Sequence, residues 1–299
     1  MSLRGFLVRT LLHVLFRHRN AVPLEERRSG MERSTKLFKP ARGVTFEPVA
    51  IGTLSAEWVI PANAIPNCAI LFLHGGAYTA GSMETHRSLV SFIAKHSGVR
   101  ALHLNYRLAP EHPYPAAVDD AVTAFGWLQT TLNISADNVA FAGDSAGGGL
   151  ALAAALRLRN ELRALPACIA LLSPWTDLTL EGETIESLRQ VDPFFKDTGY
   201  LRDSATSYAR GSSVDNPEIS PLLADLRGLP DMLIHVGSHE ALLSDSESFA
   251  TRAMLAGTLV ELKVWPGAWH VWQLFYNFVP EAKASITDIA TFIRKKLVR

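Results

Sequence analysis

The chain has 299 residues, of which 48% are hydrophobic, and this is enough apolar sequence for one large core. Lysine and arginine together number 29, as do aspartate and glutamate, so the formal net charge is zero. This balance argues against nucleic acid or another polyanion as a partner.

The first segment in chain order is an apolar run from Leu3 to Phe16, which is interrupted by Arg4, Arg9 and His13. The run is too short and too charged to span a bilayer, and the basic residues 17–19 follow where a secretory signal would carry small residues. A cytoplasmic location is therefore expected. The favoured interpretation of the run is an amphipathic helix that packs on its own domain, and a membrane-surface helix with basic flanks is the alternative. Both rest on the residues that recur at helical spacing, Leu3, Leu7, Leu11, Val14 and Leu15.

From about residue 55 onward, short apolar runs alternate with helical patterns. The runs that predict strands are 55–60, Cys68–Leu73, Ala101–Asn105, Val139–Ala142, Cys168–Leu172, Met232–Val236 and Val260–Trp265. The helical patterns cover roughly residues 85–97, 116–131, 146–163, 241–256 and 281–297. Strands that alternate with helices predict an α/β fold with a mainly parallel, doubly wound sheet that is covered on both faces.

The cysteines and histidines give no sign of a metal or redox centre. Cys68 and Cys168 begin two of the predicted strands, which favours buried thiols over a disulfide. No Cys/His cluster has metal-ligand spacing, and no His-x-x-x-His pair lies on a predicted helix. No metal and no cofactor are therefore expected.

Two stretches do not follow the alternation of strands and helices. Residues 1–45 precede the first clear strand, and residues 177–230 hold short helical pieces and many turn residues between two strands. Active sites of open α/β sheets lie at the carboxyl ends of the strands. We therefore predict a single domain over residues 1–299, in which both stretches form a cap above that edge.

The segment Gly143-Asp144-Ser145-Ala146-Gly147-Gly148 follows one predicted strand and opens the next helix. This is the strand–turn–helix context of a G-x-S-x-G nucleophile elbow. The turn is so sharp that side chains two residues before and after the serine would collide with the neighbouring backbone. The serine then projects at the positive end of a helix. The segment predicts that Ser145 is a nucleophile rather than part of a plain strand-to-helix turn.

A second motif, His74-Gly75-Gly76-Ala77-Tyr78, directly follows the predicted strand Cys68–Leu73. Acyl transfer needs hydrogen-bond donors that are aimed at the oxygen which becomes negative in the tetrahedral intermediate. An H-G-G motif at this place supplies such N–H groups, together with the residue after the nucleophile. The predicted donors are the backbone amides of Gly75, Gly76 and Ala146, and the alternative is an ordinary glycine turn.

Together these motifs resemble those of the hormone-sensitive-lipase-like esterases, also called bacterial lipolytic family IV. The resemblance covers about residues 45–299 and extends to Tyr106-Arg107-Leu108-Ala109-Pro110-Glu111, to Ser173-Pro174-Trp175 with Asp177, and to Trp265–Gln273. It implies the α/β-hydrolase fold, with a central, mainly parallel sheet of the eight-stranded type, helices on both faces and a helical cap. One departure is Ala77, where most members carry a third glycine. Alanine can serve there if its φ is negative, with a slightly narrower pocket.

Such enzymes arrange their triad along the chain in the order serine, acid, histidine. Of the ten histidines, only His270 follows the last predicted strand, and it is the predicted general base for Ser145. The acid should follow the strand Met232–Val236, and both Glu240 and Asp245 do so. The resemblance favours Glu240, the first acid of a D/E-x-L-x-x-D pattern, and Asp245 remains the alternative.

The resemblance implies a serine carboxylesterase that hydrolyses short- to medium-chain carboxylic esters through a Ser-His-Glu triad and an acyl-enzyme intermediate. Ring opening of a lactone would use the same triad. The alternative from another class is a non-catalytic member of the fold that binds a small molecule, and the intact set of triad residues disfavours it. The expected partner is a small-molecule ester, and the resemblance also implies a homodimer, which is a frequent state in this family.

Overall fold

The structure is a computed structural model that describes residues 1–16 and 22–298. Its strands are β1 (Val44–Ile51), β2 (Leu54–Pro61), β3 (Ala69–Leu73), β4 (Arg100–Asn105), β5 (Val139–Asp144), β6 (Cys168–Leu172), β7 (Asp231–Gly237) and β8 (Val260–Trp265). Its helices are α1 (Leu3–Leu15), α2 (Leu24–Ser34), α3 (Met83–Ser97), α4 (Ala116–Thr130), α5 (Ala146–Asn160), α6 (Glu183–Ser187), α7 (Gly199–Tyr208), α8 (Leu243–Leu255) and α9 (Pro280–Leu297). The basic residues 17–19, on which the signal and membrane interpretations partly rest, lie outside the described residues.

Within the described residues, the eight strands form one sheet in the order β1-β2-β4-β3-β5-β6-β7-β8. The pairs β1–β2 and β2–β4 are antiparallel, and every pair from β4 to β8 is parallel. The carboxyl ends of the parallel strands therefore meet at one edge of the sheet. This confirms the predicted α/β fold with its mainly parallel sheet.

Strand β1 was not predicted, and its position explains why. It forms one edge of the sheet and pairs only with β2, so most of its residues are exposed or half-buried. Glu47 and Pro48 lie in its middle, and a proline is tolerated there because an edge strand can do without one N–H donor. The apolar runs of the sequence indicate strands that are covered on both faces, and β1 is not one of them.

The central strands are buried because helices cover both faces of the sheet. Every residue of β3, β5 and β6 is buried. Side chains alternate along β3, so that Leu71 belongs to the core cluster that includes residues of α4, α5 and α8 on one face, whereas Phe72 belongs to the cluster with residues of α3 and α9 on the other. Cys68 and Cys168 are both buried and free, as predicted.

Helix α1 forms where it was predicted, but it faces the opposite way. Leu12 is buried, and with Val8 and Phe16 it packs in a cluster that contains Trp269 and Trp272. The residues that predicted an inward stripe are exposed instead: Leu3 (75%), Leu7 (57%), Leu11 (56%), Val14 (68%) and Leu15 (65%). The prediction that this stripe packs on the domain was therefore wrong, because the helix uses its other side. Of the helices in the described ranges, none has the length and apolar character needed to cross a membrane.

Helix α8 offers a matched pair of substitutions that tests the packing of the sheet. Phe249 is fully buried, whereas Leu255 is 84% exposed on the same helix. We expect Phe249→Ala to lower the free energy of unfolding by about 3–5 kcal/mol, because it removes a buried ring and leaves a cavity. Leu255→Ala should change it by less than about 0.5 kcal/mol. Urea denaturation followed by circular dichroism measures both, and equal losses would contradict the described packing of α8.

Candidate active site

Ser145 lies between β5 and α5 in a very sharp turn. Its φ of 52° and ψ of −123° are unusual for a residue with a side chain, and they store strain. The Ser145 N–H donates to the carbonyl oxygen of Leu172, and the Ser145 carbonyl accepts from the Trp175 N–H, both at 2.9 Å. A Cβ atom on Gly147 would lie 2.0 Å from the carbonyl oxygen of Leu73, which explains why glycine is required at this point of the turn. The surrounding backbone thus holds the serine in place.

The structure brings the side chains of Ser145, His270 and Glu240 together in one chain of polar contacts. The Nε2 atom of His270 lies 3.0 Å from the Ser145 Oγ atom, and the Nδ1 atom lies 3.4 Å from Oε1 of Glu240. All three residues are buried. They follow β5, β8 and β7, so they converge from the carboxyl ends of three strands.

The Glu240 carboxylate is held by hydrogen bonds from two other segments of the protein. Its Oε2 atom accepts the Ser173 hydroxyl and the Gly237 N–H, each at 2.8 Å. The Ser173 hydroxyl oxygen in turn accepts the N–H of Val271, the residue after His270, at 3.2 Å. A buried carboxylate is stable when its oxygens are hydrogen-bonded in this way. These bonds fix the position of Glu240 relative to the imidazole.

A second buried carboxylate, that of Asp192, lies beside the first, although Asp192 belongs to none of the motifs recognised in the sequence. Its oxygens accept the N–H groups of Phe194 at 2.8 Å and of Ala241, the neighbour of Glu240, at 2.9 Å. Burial raises the pKa of Asp192 to about 6. One feature of the sequence could have indicated Asp192: it is an acidic residue in a turn-rich stretch, and Pro193, Phe194 and Phe195 directly follow it.

The charges around His270 favour the protonated form of its imidazole. Burial lowers the pKa of this group, but the carboxylates of Glu240, Asp192 and Asp144 raise it. The net effect is a pKa above the ordinary value of 6.5. Such an imidazole is a stronger base, and it is also inactivated by protonation at a higher pH.

Asp245, the alternative acid, makes its contacts away from His270. Its Oδ2 atom accepts the N–H groups of Thr176 and Asp177, both at 2.9 Å. Burial raises its pKa to about 7. In the described structure this carboxylate holds the loop after β6, and none of its hydrogen bonds reaches the imidazole.

The three amides predicted as oxyanion donors are not equivalent. The Gly75 N–H already donates to Oδ1 of Asp144 at 3.0 Å, which conflicts with its predicted role because a single N–H cannot fully serve two acceptors. By contrast, Gly76 and Ala77 line the cavity at Ser145, and within the described residues neither amide has a hydrogen-bond acceptor. Ala146 opens α5, so its N–H is one of the helix amides that lack an intrahelical partner.

The backbone at Ala77 does not meet the condition set for alanine at this position. Its φ is 56°, and that of Tyr78 is 61°, so both residues adopt the left-handed conformation. Glycine adopts this conformation freely, whereas a residue with a Cβ atom is strained by about 1–2 kcal/mol. The condition of a negative φ is therefore not met: the chain keeps the turn, and with it the backbone N–H group of Ala77, although the alanine is strained.

A cavity with about 760 Å³ of empty space, part of it open to solvent, lies above Ser145 and His270. Much of its wall is apolar and comes from Met31, Phe194, Phe195, Val271 and Leu274. Both stretches predicted as cap contribute to it, since residues 1–45 supply Met31 and Arg27, and residues 177–230 supply the two phenylalanines and Tyr200. The Arg27 guanidinium stacks on the Tyr200 ring, 3.5 Å from its centroid.

Comparisons with known proteins support this architecture. A family model described as alpha/beta hydrolase fold matches residues 70–274. An acetyl-hydrolase of Streptomyces hygroscopicus is 38% identical over 96% of this chain and 95% of its own length, and an esterase of Acinetobacter venetianus is 34% identical over 88% and 86%.

Solved structures give the same result. A hormone-sensitive lipase from a metagenome library is 41% identical, with a TM-score of 0.94 over 99% of both chains. The esterase EstE5, in a crystal soaked by p-nitrophenyl butyrate, is 36% identical, with a TM-score of 0.93 over 100% of both chains. The chain therefore belongs to the α/β-hydrolase family, within its branch of bacterial hormone-sensitive-lipase-like esterases.

Proposed function

We propose that this carboxylic ester hydrolase works through a triad of Ser145, His270 and Glu240. The observation that carries the proposal is the 3.0 Å contact between the Ser145 Oγ atom and Nε2 of His270, with Glu240 on the far side of the ring. In this mechanism Nε2 takes the hydroxyl proton while Oγ attacks the ester carbonyl. Glu240 accepts the Nδ1–H, which fixes the tautomer and stabilises the imidazolium.

The oxyanion of the tetrahedral intermediate would rest on the N–H groups of Gly76, Ala77 and Ala146. These amides are free of other acceptors in the described structure, and two of them line the cavity. The Gly75–Asp144 bond would serve instead to hold the loop beside the elbow. As the intermediate collapses, the ester C–O bond breaks and His270 gives its proton to the departing alcohol. Water activated by the same imidazole then releases the acid and restores the Ser145 hydroxyl.

We infer that the substrates are esters with short to medium acyl chains. The cavity is largely apolar, and aromatic rings line it close to the nucleophile. The Phe195 ring, for example, lies 4.7 Å from the imidazole of His270, centroid to centroid. Residues 1–45 and 177–230, which supply part of the wall, would act as the cap that sets this limit. A p-nitrophenyl ester series from acetate to laurate tests the range, and fastest cleavage of laurate would contradict it.

Substitutions at the four candidate residues test the triad. We expect Ser145→Ala and His270→Ala to remove nearly all hydrolysis of p-nitrophenyl butyrate. Glu240→Gln should lower kcat by about 10³–10⁴-fold, because an amide cannot hold the required tautomer. Asp245→Asn, the matched control, should lower stability but leave kcat per folded molecule within about tenfold, because Asp245 does not touch the imidazole. Loss of kcat mainly in Asp245→Asn would move the acid assignment to that residue.

The pH dependence tests the influence of Asp192 on the imidazole. The base must be neutral, so kcat/KM should fall as the pH drops through the pKa of His270, which lies above its ordinary value. Asp192→Asn removes a negative charge that favours the imidazolium. The acidic limb of the profile should therefore shift to lower pH, with a reduced kcat because Ala241 loses its carboxylate acceptor.

The exposed carboxylate of Asp215, in the same stretch of chain, provides the control for this experiment. Asp215→Asn should leave both the acidic limb and kcat unchanged, because surface charges are screened by solvent. A profile of Asp192→Asn that keeps its acidic limb at the wild-type position would show that Asp192 acts only as a structural brace.

A further inference from the structure

Helix α1 presents a wide apolar face to solvent, and this face has no role in the catalytic proposal. It consists of six large side chains that are 49–75% exposed, which we call the outer face of α1: Leu3, Phe6, Leu7, Leu11, Val14 and Leu15. Its other exposed members are Arg4 and Thr10. Contiguous exposed apolar surface of this kind marks an interaction site in a soluble domain.

The charge of this region indicates what the outer face contacts. Residues 1–24 contain Arg4, Arg9, Arg17 and Arg19 but no aspartate or glutamate, although the whole chain is balanced. An apolar helix face that carries Arg4, in a segment whose sequence is basic, suits a surface of anionic phospholipid. A second copy of the chain would bring the same positive charges together, which disfavours self-association through this face.

The inner side of α1 is already occupied by the protein. Leu12, Val8 and Phe16 pack on the domain, and the Arg9 guanidinium donates to the carbonyl of Gly267 at 3.3 Å. Lys196 donates to the His13 carbonyl at 3.4 Å. These contacts hold the helix without using the outer face, which is therefore available to another surface.

The helix also borders the active-site cavity. The ring of Phe16, the residue after α1, lies 5.1 Å from the ring of Phe194, centroid to centroid, and Phe194 lines the cavity. A surface that binds α1 would thus lie close to the wall of the catalytic cavity. Esters with low solubility in water concentrate at lipid surfaces, so this position would bring the enzyme to its substrate.

We propose that α1 docks the enzyme onto anionic phospholipid surfaces through its outer face, while its inner side stays packed on the domain. Phe6 and the exposed leucines enter the boundary between headgroups and acyl chains, and Arg4 pairs with phosphate. The helix lies in the plane of the surface rather than across it.

Co-sedimentation of the full chain with vesicles tests the proposal. We expect binding to vesicles of phosphatidylcholine with phosphatidylglycerol, much weaker binding to phosphatidylcholine alone, and weaker binding in high salt. The double variant Leu7→Gln/Leu11→Gln should lower the affinity for anionic vesicles by roughly tenfold or more, because both side chains lose their burial in lipid. Glutamine is a good helix former, so α1 should persist, and circular dichroism checks this.

The control is the double variant Leu255→Gln/Leu259→Gln, which changes two leucines that are 84% and 71% exposed on another part of the protein. It should bind vesicles like the wild type. Equal loss of binding in both double variants, or no binding of the wild type to anionic vesicles, would overturn the proposal. So would light scattering that shows a dimer which becomes a monomer in Leu7→Gln/Leu11→Gln. Hydrolysis of p-nitrophenyl acetate, measured in parallel, separates failure of docking from failure of the catalytic proposal.

Discussion

The close approach of three backbone segments at the serine is the constraint on which the rest of the site depends. The end of β3, the turn at Ser145 and the start of α5 come so near that a single Cβ atom on Gly147 would overlap the carbonyl of Leu73. The strained φ of Ser145 persists because hydrogen bonds with the end of β6 and with the loop after it over-determine the conformation. Because the serine is fixed there, the backbone amides beside it and the imidazole of His270 can both be positioned around the Ser145 Oγ atom.

Buried carboxylates then connect this point to the surrounding loops. Glu240 binds the loop after β7 to Ser173 after β6, and Asp192 binds the stretch 177–230 to Ala241. Burying a carboxylate without partners costs free energy. Hydrogen bonds from backbone N–H groups, which the loops would otherwise leave without acceptors, offset this cost for both residues. The same charges that brace the loops raise the pKa of His270, so the architecture of the loops and the basicity of the imidazole have one cause.

The sequence predicted those parts of the molecule whose signal is local. Strands covered on both faces appear as apolar runs, and an elbow appears as small residues between a strand and a helix, so β3, β5, β6 and the turn at Ser145 could be placed. Strand β1 could not, because an edge strand needs no apolar run. The partner of the Gly75 amide is an oxygen 69 positions away, and no local pattern reveals which of three adjacent amides a distant carboxylate will occupy.

Helix α1 shows a further limit of periodicity. A repeat of leucines at helical spacing establishes that one side is apolar, but it orients the helix only if the other side is polar. Here the opposite side carries Gly5, Val8, Leu12 and Phe16, which pack on the domain just as well. In the structure Gly5 and Leu12 are buried against the body of the protein, and the larger leucine stripe remains outside. A helix with apolar residues on both of its sides has surplus apolar surface, and because residues 1–24 contain four arginines but no aspartate or glutamate, an anionic lipid surface explains that surplus better than the fold itself does.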